Sequence, residues 1–280
     1  ESVMHIPAFR SFVTGLGLSL LLATSGCGGG GGGGSSGGSE AMTTISGTAN
    51  KGVLIDALVS AYSVANGVAS STPIATASTD NQGRYTLSLG GYSGPVLIVL
   101  TPKLTTKMRC DIPAGCDGAA FGSDVSPDPT LQLQTVVSSA SGNLSTALTP
   151  YTTMAAEYAK HSGGLTPTNI TSALYQVAAL YGLPDLNATQ PVDITASDLG
   201  TNSNAQHYAV MNAAIGQLAT SASQIQAKIN QVVAELNANS GQLVGNSSGS
   251  ATVPALADIL SAAKSVGQSS QVGGKLLNNV

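Results

Sequence analysis

Between Met42 and about Val137 the apolar residues recur in short runs with a period of two. In RYTLSL, Tyr85, Leu87 and Leu89 share one face while Arg84, Thr86 and Ser88 take the other. Such alternation is the pattern of a half-buried strand. TTISGTA, ALVSAYSV and PIATAST also read as strands, and PVLIVLT is a continuous apolar run suited to a central strand. The breaks are turn chemistry: Asn66-Gly67, Asp80 to Gly83, Gly90-Gly91 and Gly94-Pro95. Five or more short strands at spacings of about ten residues predict a β-sandwich over residues 42–140.

After Gly142 the period lengthens to that of a helix. LTPYTTMAAEYAKH offers Thr149 as N-cap with Pro150 at the first helical position, and LTPTNITSALYQVAALYGLP repeats the device with Thr166 and Pro167. Ile170, Leu174, Val177 and Tyr181 form the core stripe of the second helix, and Gly182 and Pro184 stop it. A third stretch, one broken helix or two successive ones, carries Tyr208, Met211, Ile215 and Leu218, then Ile225, Ile229, Val232 and Leu236. These segments predict an all-α helical bundle over residues 141–240, and residues 241–280 read as a linker followed by the amphipathic helix PALADILSAAKSV.

The front of the chain has a different rhythm. Arg10 precedes an apolar run from Phe12 to Ala23, followed by Thr24, Ser25, Gly26 and then Cys27. A basic start, a short apolar middle and a small-residue end make a secretory signal over residues 1–26, and the run is too short to span a bilayer. LLATSGC resembles the lipobox of bacterial lipoproteins at Ser25, Gly26 and Cys27, departing at Thr24 where that family prefers leucine. The resemblance implies a lipid on Cys27. Residues 27–41 are dominated by glycine and serine and form a disordered Gly-rich tether, whose reach from Gly28 to Ser39 is on the order of 19 Å. Gly28 is not the aspartate that resembles an inner-membrane retention signal, so the expected location is the outer membrane.

ISGTANKGVLIDALVSAYSV and TASTDNQGRYTLSL are similar to the carboxypeptidase regulatory-like (transthyretin-like) β-sandwich family. The matching residues are Gly47, Ala57, Val59 and Tyr62, then Thr79, Asp80, Gly83 and Tyr85. The resemblance covers roughly residues 43–102 and implies an accessory sandwich without catalysis. Lys51-Gly52 reads as an exposed turn.

Composition narrows the function classes. Charged residues are 9% of the chain, against about 25% in a typical domain. Ten Lys and Arg, scattered singly, make no basic stripe for nucleic acid. Cys110 and Cys116, spaced by a turn with Pro113 and Gly115, predict a disulfide in an exported chain. Asp111, Asp117, Asp124 and Asp128 crowd that loop and are weak candidate ligands for Ca²⁺. No motif for a nucleophile, a catalytic zinc or a phosphate loop occurs; His161 and His207 lie on different predicted helices. The expectation is a lipid-anchored envelope or surface module with a non-catalytic binding or structural role and a glycan or protein ligand. The alternatives are a periplasmic hydrolase or enzyme accessory with a site between the two domains, and an adhesion or assembly subunit.

Overall fold

The computed structural model describes residues 42–219, 221–245 and 254–272. The signal segment, Cys27 and the glycine run lie outside the described residues. The first sheet has β1 (Thr43–Ala49) at its centre, antiparallel to β6 (Arg84–Gly90) and parallel to β11 (Asn143–Leu148). The second runs β10 (Leu133–Ala140), β7 (Gly94–Thr101), β3 (Leu58–Ala65) and β4 (Val68–Ala69), with β5 (Ala75–Ser78) also on β3. A third, small sheet joins β2 (Leu54–Ile55), β8 (Lys107–Arg109) and β9 (Asp124–Val125).

The helices follow: α1 (Pro150–His161), α2 (Pro167–Tyr181), α3 (Ser203–Ala219), α4 (Ile225–Ala238) and α5 (Leu256–Gly267). Their starts are where the sequence puts them. The Thr149 side chain accepts from the Thr152 amide in a capping box, Thr166 caps α2 through Asn169, and Gly182 ends α2 in the left-handed region at φ 63°. The strand rhythm, by contrast, continues past the expected limit at residue 140, because β11 completes the sheet that β1 begins. Strands and helices belong to one compact unit, Glu40–Val280.

Two close approaches explain two residue choices. A Cβ on Gly47 would lie 1.6 Å from the Thr146 carbonyl oxygen, so β1 and β11 can meet there only through glycine. Gly47 is opposite Tyr85 in the ladder, and the Tyr85 hydroxyl donates to that carbonyl at 3.0 Å. On the helical side α1 lies between β10 and the other helices with eight of its 12 residues buried. Tyr151 meets Tyr181 edge-on at 4.7 Å and donates to the Met211 carbonyl at 2.9 Å, while Thr149 and Tyr208 share a hydroxyl contact at 2.8 Å. Burial pushes the pKa values of all three tyrosine hydroxyls up, so they stay neutral in the core.

Lys51 corrects the expectation of an exposed turn. It turns sharply with Gly52 at φ 63°, but its side chain is wholly buried and its ammonium sits 2.7 and 3.0 Å from the two Asp111 oxygens. The Gly52 amide adds a third bond to that carboxylate at 2.8 Å. Lys51 reaches α3 at Gly216, where an added Cβ would lie 2.5 Å from Nζ. The sharp turn was legible from Gly52; its burial depends on an acid 60 residues away.

The Cys110–Cys116 disulfide closes with Cα atoms 5.7 Å apart and brackets Asp111. Its loop also places Ile112 against Gly216, and Asp117 on the Ala222 amide at 3.0 Å. Two stability outcomes follow for urea unfolding. Asp111→Ala leaves a buried ammonium uncompensated and should cost about 3–5 kcal/mol, most of it recovered in Lys51→Met/Asp111→Leu. Cys110→Ser/Cys116→Ser should cost about 2 kcal/mol, the entropy of so short a loop; no loss of midpoint would remove the loop from the stability of the fold.

Candidate functional site

β10 and β11 are the terminal strands of their sheets, joined by the short turn at Ser141-Gly142. The β10–β7 register breaks between Val137 and Ala140, which frees Ser138 and Ser139 from the ladder. α2 packs on β10, and the segment after Gly182 turns back beneath it. These pieces enclose a groove of about 680 Å³ whose apolar walls include Val137, Leu144, Leu174, Tyr175, Ala178 and Leu183. Tyr175 stands at its rim, 77% exposed.

Most polar residues of the groove are engaged inside the chain, the exceptions being Ser138, Ser139 and the Tyr175 hydroxyl at its rim. Asn187 donates to the Val136 carbonyl at 2.8 Å and accepts from Thr135 at 2.6 Å, tying the turn to the edge of β10. Asp185 accepts the Asn187 and Ala188 amides, both at 2.9 Å. Ser145 accepts from Gln190, Thr171 donates to the Pro167 carbonyl, and Thr146 is held by Tyr85. What the walls offer a ligand is therefore chiefly apolar contact. Asp185 is the one carboxylate among them, and no lysine or arginine faces it from the walls.

Sequence reasoning did not find this groove. Ile170, Val177 and Tyr181 are buried as the α2 stripe requires, but Leu174 is partly exposed and lines the groove beside Tyr175. The signal was the width of the α2 apolar face, one residue broader than a core stripe needs.

The acids of the disulfide loop are not brought together, which corrects the Ca²⁺ expectation. Asp111 is bound to Lys51, Asp117 caps Ala222, Asp124 pairs with Arg109 at 3.3 Å, and Asp128 accepts from the Thr130 amide and hydroxyl. Each is consumed by a different local task. Among the described residues no group of three or more potential metal ligands is formed, and no helix is long and apolar enough to cross a membrane.

His161 ends α1, exposed, where a cation complements the helix dipole. His207, half-buried near the start of α3, donates to the Tyr181 carbonyl. Neither lines the groove. Burial lowers the His207 pKa from its ordinary value and the Tyr181 bond partly offsets this. The unfolded chain then takes up its proton first, so the contribution of neutral His207 is present above about pH 6.5 and is lost as pH falls below it. The melting midpoint should decline on acidification from pH 7 to pH 5 less steeply in His207→Gln than in the parent, checked by calorimetry; identical slopes would show that His207 does not report folding. No family model, no curated protein and no solved structure matches this chain.

Proposed function

We propose that this chain is a lipid-anchored module of the bacterial cell envelope with a non-catalytic, protein-binding role, and that the groove between α2 and the ends of β10 and β11 is its binding face. The observation that carries the binding role is the state of the polar groups in that groove. With Asn187, Asp185, Ser145, Thr146 and Thr171 already bonded within the chain, only Ser138, Ser139 and the Tyr175 hydroxyl remain to bond a sugar, whereas apolar side chains of a protein segment would lose water against Leu144, Leu174 and Tyr175. The signal-like segment ending at Cys27 and the glycine run behind it support a lipid anchor and a tether, and Gly28 supports the outer membrane as its destination.

The strands support a carboxypeptidase regulatory-like sandwich as the scaffold. The residues that carry the resemblance have structural tasks: Gly47 and Tyr85 meet at Thr146, Thr79 accepts the Ala57 amide at 2.9 Å, and Asp80 organises the turn that Gly83 completes at φ 72°. An accessory scaffold of this kind holds a binding face without supplying catalytic groups.

Expression of the full chain in a Gram-negative host tests both halves. The parent should fractionate with membranes and Cys27→Ser should be soluble. A photo-crosslinking residue in place of Tyr175 should give a discrete protein adduct, while one in place of Leu260, on the outer side of α5, should give none. A soluble parent would end the anchor, and the absence of any adduct at position 175 would end the groove as a protein-binding face.

A further inference from the structure

The turn between β7 and β8 presents Leu104 to solvent completely, the most exposed large apolar side chain among the described residues. Single exposed leucines are common on protein surfaces. What sets this one apart is its bracing. Lys103 and Thr106 close the turn at 3.1 Å, and the Lys103 amide donates to the Thr106 hydroxyl at 2.7 Å. Thr106 is buried and donates to the Asp56 carbonyl at 2.9 Å. The Asp56 carboxylate accepts from Thr105 at 2.6 Å and pairs with Lys103, from a backbone held in the left-handed region at φ 55°. A non-glycine residue is seldom placed there without cause. The network fixes a rigid tip, and the side chain at its apex touches nothing.

The tip and the groove lie at opposite ends of the same strand. Val137, in the groove wall, pairs with Val96 near the start of β7, and Leu104 follows the end of β7 at Thr101. Eight residues of extended chain separate the two ends by roughly 26 Å. Their surfaces are complementary. The tip is one leucine with the exposed Lys107 beside it, Lys103 being paired with Asp56; the groove is apolar and carries the exposed carboxylate of Asp185.

We propose that the occupant of the groove is the Leu104 tip of a second copy of this chain, giving a head-to-tail contact. This rests on the groove being a binding face. Knob and socket are different surfaces at opposite ends, so the contact is heterologous: each bound copy still offers a free tip and a free groove, and assembly continues unless the geometry closes a ring. One leucine and a flanking charge make a weak contact, suited to copies held at high effective concentration on one surface.

The test uses the soluble Cys27→Ser full chain and its mass distribution by sedimentation up to millimolar concentration. The expected result is an average mass that rises with concentration and does not stop at a dimer unless a ring closes. Leu104→Ser, at a position with no contacts, should be monomeric with an unchanged melting midpoint. Ala179→Arg, which puts a cation on an exposed position of the groove wall, should be monomeric too. Mixed together, these two variants should form a one-to-one dimer and nothing larger, because one keeps only the groove and the other only the tip. A parent that stays monomeric throughout, or a mixture that does not pair, overturns the proposal. If Ala179→Arg abolishes association and Leu104→Ser does not, the groove remains a binding face and the tip is not its occupant. If Leu104→Ser alone abolishes it, the tip docks elsewhere and this proposal falls, while the groove reading stands or falls with the crosslink at position 175.

Discussion

The arrangement of the whole chain depends on a buried charge that must be answered. Lys51 leaves β1 and runs inward to the surface of α3, where water cannot solvate an ammonium. Burying an isolated cation would be prohibitive, so the loop after β8 has to deliver Asp111 to the same point, and α3 has to offer a position without a side chain. Strand, disulfide loop and helix thereby fix one another. An apolar residue at position 51 would pack against many surfaces; a lysine there is satisfied in one place. Such a pair adds little net stability over a hydrophobic substitute, while removing either partner alone leaves an uncompensated buried charge.

The same rule, that buried polar groups find partners, shapes the groove in the opposite sense. The turn from Asp185 to Gln190 is held by the Asp185 carboxylate and spends Asn187 on β10 and Gln190 on Ser145 of β11, leaving an apolar hollow between these strands and α2. Edge strands are ordinarily a liability, open to pairing with another chain. Here the Asn187 side-chain amide occupies part of the ladder on β10, and the bulge at Ser138 and Ser139 interrupts the rest.

Local chemistry was legible in the sequence and long-range chemistry was not. The caps at Thr149 and Thr166, the stop at Gly182, the turn at Asn66-Gly67 and the faces of β6 are decided by a few neighbouring residues, and they stand where the pattern puts them. β11 was missed because NLSTAL alternates weakly and buries only its last three residues, the first half being exposed or partly so. Lys51 read as surface because nothing within its own turn reveals Asp111. The four acids of the disulfide loop read as a cluster because sequence proximity is not proximity of side chains: each is bonded to a different partner. Of the groove, Leu174 and Pro184 were singled out, as a core position and a helix stop, and their partners come from two sheets and a turn that no single window contains.

The pairing of the first strand with the last has a consequence for the order of events in synthesis. Thr44 aligns with Asn143 and Ala49 with Leu148, parallel, so β1 waits for about a hundred residues before its second neighbour exists. Until then it has only β6, an antiparallel neighbour itself separated from it by four other strands, and its other edge is bare. Contacts of such high sequence separation form late and slowly. A chain emerging from its N-terminus, at a ribosome or through a narrow pore, therefore cannot lock its first sheet while most of it is still inside. Topology alone delays the completion of that sheet until β11 has emerged.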